Sequence, residues 1–132
     1  MSIGSLLQWA LTELRANVDI IASVGNRVYD STVGPNDPAY PYIVVSHETE
    51  NDSRGGIRFP LGTLEVTVAT EGTQTNTALA TIMNQVLNVL DNKYITGSFG
   101  YVSYTGERPV ILPKAKATSR AKAMSFSTNE TY

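Results

Sequence analysis

Residues 61–70, Leu61-Gly62-Thr63-Leu64-Glu65-Val66-Thr67-Val68-Ala69-Thr70, alternate apolar and polar side chains. Leu64, Val66 and Val68 take one side, and Thr63, Glu65, Thr67 and Ala69 the other. Successive strand residues point to opposite faces, so the pattern predicts a strand with one buried face. The period then changes. Leu79, Ile82, Met83, Val86 and Leu90 recur at helical spacing, with Ala78 and Leu87 beside them, which predicts a long amphipathic helix. Gly72 separates the two elements; Thr73, Thr75 or Thr77 can cap the helix, and Asp91-Asn92 ends it.

The same logic extends in both directions. Ser5 to Ala16 reads as a helix with Leu7, Ala10, Leu11 and Leu14 on one face, Gln8 at capping-box spacing from Ser5, and Asn17 at its end. Val18 to Val24 is apolar and long enough for a turn of helix; Gly25-Asn26 breaks it, and residues 27–30 read as a brief strand. Gly34-Pro35, Asp37-Pro38 and Pro41 make 31–41 a loop, and Tyr42 to His47 is a β-branched strand. Residues 48–60 are polar, either a loop or the tip of a long hairpin. Toward the C-terminus, 99–104 reads as a strand, 107–113 as a proline-flanked connection, and 117–128 as a last strand. There Arg120 and Lys122 continue into Met124 and Phe126, opposite Ala121, Ala123 and Ser125. The order helix, strand, strand, helix, strand, strand predicts an α+β fold: a small, mainly antiparallel mixed sheet with two α-helices packed on one face, forming a single domain over 1–132.

Composition narrows the chemistry. A chain of 132 residues buries about two-thirds of its unfolded surface, enough for one core. Ten Lys and Arg against twelve Asp and Glu give a net charge of −2, unlike a strongly basic nucleic-acid binder. There is no cysteine and one histidine, His47, so thiolate sites, cysteine nucleophiles and multi-imidazole metal sites are excluded. His47 shares a strand face with Ile43 and Val45, where a packed histidine is the plain reading. Glu48, Glu50 and Asp52 lie in a polar, glycine-containing segment and read as solvated. Gly55-Gly56 lacks the Lys and Ser/Thr of a phosphate loop. The N-terminus has neither the basic flank nor the apolar stretch of a signal peptide, so an intracellular origin is expected. No catalytic residue, metal ligand or cofactor site is indicated, and a non-enzymatic interaction protein is what remains. Seven tyrosines fit either strand propensity or an interface.

The order of features resembles the small phage tail-completion proteins, including the tail terminators of long-tailed phages. The matching pieces are the N-terminal helix with Leu6-Leu7, the run Val24-Gly25-Asn26-Arg27-Val28-Tyr29-Asp30, and the Pro-rich loop into Pro41-Tyr42-Ile43-Val44-Val45. A polar insertion, an alternating strand, a long helix and closing strands follow. The resemblance implies a virion protein at the head-proximal end of the tail. It would form a homo-oligomeric ring, commonly of six subunits, that caps the tail tube, ends its polymerisation and meets the neck or connector. DNA would pass through the lumen without specific binding, and no membrane is involved. A connector or stopper of the neck is the neighbouring reading, and a small protein- or nucleic-acid-binding adaptor a more distant one.

On this reading Glu50, Asp52, Arg54 and Arg58 are candidates for salt-sensitive contacts to a neighbouring subunit. Lys114, Lys116, Arg120 and Lys122 form a run of cations with no acid between residues 109 and 129. They read as a charged sheet edge, as cations that meet phosphate or an acidic protein face, or, on the resemblance, as a face toward tube or connector or a lining of the lumen that DNA crosses, with the protein contact ranked above the lumen.

Overall fold

The computed structural model describes residues 3–31, 39–52, 59–71, 76–94, 100–110 and 120–130. The elements are α1 (Ile3–Ala16), α2 (Val18–Val24), β1 (Val28–Asp30), β2 (Tyr42–Asp52), β3 (Phe59–Thr70), α3 (Asn76–Leu90), β4 (Lys93–Tyr94), β5 (Gly100–Pro109) and β6 (Arg120–Glu130). They build one six-stranded sheet in the order β1-β2-β3-β6-β5-β4. β1 runs parallel to β2, and every other pair is antiparallel. The α+β class with a mixed, mainly antiparallel sheet is as the sequence predicts.

The register assigns the two faces. Ile43 pairs with Val68 and Val45 with Val66; Val66 pairs with Met124 and Leu64 with Phe126. These side chains meet Leu6, Ala10, Leu11 and Leu14 of α1, Ile20 and Val24 of α2, and Leu79, Ile82, Val86 and Leu90 of α3 in one buried cluster. The alternation in β3 therefore resolves as read: its even positions face the helices and its odd positions face away.

Three helices cover this face, not two. Asn17 does not simply end α1. Its side-chain Oδ1 accepts from the backbone N–H of Asp19 (3.0 Å) and Ile20 (3.1 Å), which makes it the N-cap of α2. Gly25 closes that helix at φ +62°, where a side chain would be strained, and its N–H donates to Ile21 O at 2.8 Å. α1 begins at Ile3, so Ser5 lies inside it rather than capping it. Leu6 belongs to its buried stripe, and Leu7 packs partly buried against the same core. Thr77 likewise lies within α3; Thr73 and Thr75 fall outside the described residues.

Strand limits shift for identifiable reasons. Residues 48–52 and 59–60 belong to strands, so the polar segment is a long hairpin, with 53–58 outside the described residues. The segment at 107–109 continues β5 instead of leaving the sheet, because a bulge between Tyr104 and Gly106 absorbs one residue. β6 starts at Arg120. Two-residue β4 carries no sequence pattern of its own and is held by its pairing to Tyr101 and Val102.

Candidate interaction surfaces

The β5 bulge decides where the charges of this end of the sheet go. Before it, Tyr104 pairs with Phe126 on the helix face, their rings edge-on at 5.6 Å. After it, the parity of β5 is reversed. Glu107 pairs with Met124 and faces the helices, whereas Arg108 pairs with Ala123 and faces away. Each finds a partner on its own side. Lys122 Nζ donates to Glu107 Oε1 at 3.4 Å, and Arg108 Nη2 donates to Glu65 Oε1 at 2.7 Å across the open face. Burial, followed by the Glu107 carboxylate and its hydrogen bond and then Asp91, holds the Tyr104 hydroxyl pKa above its usual value.

Of the predicted interface residues, Arg120 and Lys122 are the two whose side chains are described. Arg120 is exposed opposite Thr70, and Lys122 lies opposite Val68 on the helix face. Positions 50 and 52 pair with Leu61 and Phe59 at the other end of β3, about 25 Å or more away at strand spacing. The side chains of Glu50 and Asp52 lie outside the description, as do Arg54, Arg58, Lys114 and Lys116 altogether. β6 pairs with β3 only as far as Gly62, so the pairs Glu50–Leu61, Asn51–Pro60 and Asp52–Phe59 are made between β2 and β3 alone.

Two apolar features carry no sequence signal in charge. A cleft of about 430 Å³ opens between α3 and the β5–β6 end of the sheet. Leu79, Met83, Leu87 and Met124 line it, and Lys122 and Glu107 stand at its rim. The Glu107–Lys122 ion pair lies along this edge of the cleft. On α2, Val18 is 77% exposed and Ile21 47% exposed, the large exposed hydrophobics among the described residues. They make a short apolar ridge.

The face of the sheet away from the helices holds a separate cluster: Tyr42, Ala69 and Ala121 are buried, with Tyr29, Tyr40, Val44 and Val110 packed against them. The Tyr40 and Tyr42 rings lie 5.2 Å apart. Burial first, then the Tyr40 charge and hydrogen bond, push the Tyr42 hydroxyl pKa up to about 12. These aromatic side chains fill a structural cluster on that face. The peptide bond between Tyr40 and Pro41 is cis, and Arg27 Nε donates to Pro41 O at 2.8 Å, fixing this segment against the start of β1.

His47 sits on the helix face opposite Leu64, as its strand parity predicts. Its Nδ1 is buried with no hydrogen-bond partner among the described residues, and burial lowers its pKa. Among the described residues no group of three or more His, Cys, Asp or Glu is placed to hold a metal ion.

Comparison with solved structures matches almost the whole chain. A chain in the virion of a native gene transfer agent particle superposes with a TM-score of 0.77, at 19% identity, over 96% of this chain and 94% of that one. The two share one fold. A second solved chain, which bears no functional name, gives a TM-score of 0.65 at 11% identity, over 98% of this chain and 92% of that one. No family model matches the sequence, and no curated protein does.

Proposed function

We propose that this chain is a structural component of a phage-like virion, a tail-completion protein that forms a ring, six-membered by the resemblance, on the head-proximal end of the tail tube. The observation that carries this reading is the end-to-end match in fold to a chain of a gene transfer agent virion. Nearly all of both chains is included, so the likeness is one of whole architecture. The tail-completion pattern in residues 24–45 agrees with it.

The activity is geometric. A subunit with two different surfaces, each complementary to the other on its neighbour, closes a ring when the rotation between copies divides a full turn. One annular face then ends the tube, and the other meets the neck. Tail tube protein and neck or connector protein are the partners, and DNA crosses the lumen without sequence-specific contacts.

Negative-stain microscopy of the purified protein, alone and mixed with tail tubes, tests this. Rings, or density on one end of every tube, are the expected result. Tubes that stay uncapped and keep elongating in its presence refute the terminator reading. Rings that bind connector but ignore tubes place the protein in the neck instead.

A further inference from the structure

The ridge on α2 and the cleft beside α3 lie on opposite flanks of one helical pair. Ser23 of α2 donates to Gln85 of α3 at 2.7 Å, which marks the sides on which the two helices meet. Around α2, Ile21 and Val18 stand about 200° and 140° from Ser23, at 100° per residue. Around α3, Leu87 and Ala80 stand about 200° and 140° from Gln85 by the same measure. The ridge therefore points away from α3, and the cleft opens on the side of α3 away from α2.

We infer that these two surfaces are the halves of one subunit contact: the Val18–Ile21 ridge of one copy seats in the cleft lined by Leu79, Met83, Leu87 and Met124 of the next. The inference rests on the ring reading and says which surfaces close it. An apolar projection and an apolar pocket placed elsewhere on the same molecule make a heterologous contact, the kind that propagates head to tail. Val18 and Ile21 on one copy and Ala80 and Leu87 on the other supply the apolar surface that leaves water, with Leu79, Met83 and Met124 buried beneath them at 6%, 7% and 0% exposed.

The charges match as well. Asp19 is exposed beside Val18, in the first turn of α2. Lys122 stands at the cleft rim, 43% exposed and held by Glu107 only at 3.4 Å. Docking the ridge brings the Asp19 carboxylate of one copy to the Lys122 ammonium of the next and sets the direction of insertion. A ridge-to-ridge contact would instead oppose two Asp19 carboxylates.

The chain has no cysteine, so introduced thiols report one contact at a time. Ile21→Cys and Ala80→Cys are both at exposed positions and leave the core intact. Treated with a short bis-maleimide, the double variant gives a ladder of covalent oligomers ending at the ring size, and each single variant stays monomeric. Covalent dimers from Ile21→Cys alone overturn the inference, because they require ridge to meet ridge. Monomers from the double variant overturn it too. Whether the wild-type protein caps tail tubes in the same preparation separates that failure from failure of the ring reading. In a second measurement, Ile21→Asp and Ala80→Trp each abolish the oligomer by light scattering, and mixing them restores a one-to-one dimer that grows no further. A mixture that remains monomeric, or wild-type oligomers from either variant alone, overturns the inference.

Discussion

Replacing Asn17 by alanine removes the hydrogen bonds from its Oδ1 to two of the free N–H groups at the start of α2. A helix of seven residues has almost no stability of its own, so α2 depends on that cap and on the burial of Ile20 and Val24. Loss of an N-cap costs about 1 kcal/mol. In a chain of this size that lowers the melting temperature by about 3–5 °C. The urea midpoint falls by about 0.3–1 M for a slope of about 1–3 kcal/mol per molar. The order of a substitution series is more decisive than any one value. Asn17→Asp and Asn17→Ser keep an acceptor and should match the wild type, Asn17→Gly should lose a few tenths of a kcal/mol, and Asn17→Ala should lose the most. Thermal melts by circular dichroism give the order. Amide hydrogen exchange should show the loss concentrated in α2, with the β2–β3–β6 amides unchanged. If Asn17→Ala melts with Asn17→Asp, or if protection falls evenly over the sheet, the cap is not what holds α2 and the reasoning fails.

Other perturbations test other parts of the molecule. Phe126→Ala empties a fully buried site against Tyr104 and Leu64 and should cost about 3–5 kcal/mol, read from urea titration. Arg108→Ala breaks an ion pair whose side chains are 58% and 29% exposed, so the loss should stay below about 1 kcal/mol and shrink further in high salt. His47 has a folded pKa below its unfolded value of 6.5. Below that unfolded value the unfolded chain takes up a proton that the folded chain resists, so stability falls as pH drops from 6.5 toward the folded pKa and is unaffected above it. The difference in melting temperature between wild type and His47→Gln should therefore change below pH 6.5 and stay constant above it; a flat difference across that range would refute the assignment.

The fold was legible where one period ran long enough to specify a face. Leu64, Val66 and Val68 needed only their alternation, and α3 only its spacing, because tertiary structure had nothing to override. α2 was harder: seven residues hold barely two turns, and the side chain that decides the matter, Asn17, reads equally as the end of the helix before it. The polar segment after His47 was ambiguous for a different reason. Acids and glycines suit a loop as well as the outer part of a hairpin, and what makes 48–52 a strand is the partner at 59–63, which is visible only as register. β5 hid its true length behind a bulge, since one extra residue reverses the alternation and makes a continuous strand look like two unrelated pieces.

That reversal also decides where two of the charges in this part of the sheet lie. In the sequence, Arg120 and Lys122 belong to a basic run and invite a single electrostatic role. In the sheet, Lys122 follows Met124 and Phe126 onto the helix face, and the bulge sends Glu107 to the same side to meet it. The pair then lines one edge of the cleft beside α3. A bulge that kept the parity of β5 would have put Glu107 on the open face beside Glu65 and left Lys122 without its partner. Deleting Thr105 removes the extra residue but leaves Gly106 opposite Ser125 and Glu107 opposite Met124, so the Glu107–Lys122 pair and the cleft should survive, with Tyr101, Val102 and the β4 pairing in place. If the Ile21–Ala80 contact between subunits is lost after that deletion, the bulge does more than absorb one residue, and the register argument fails.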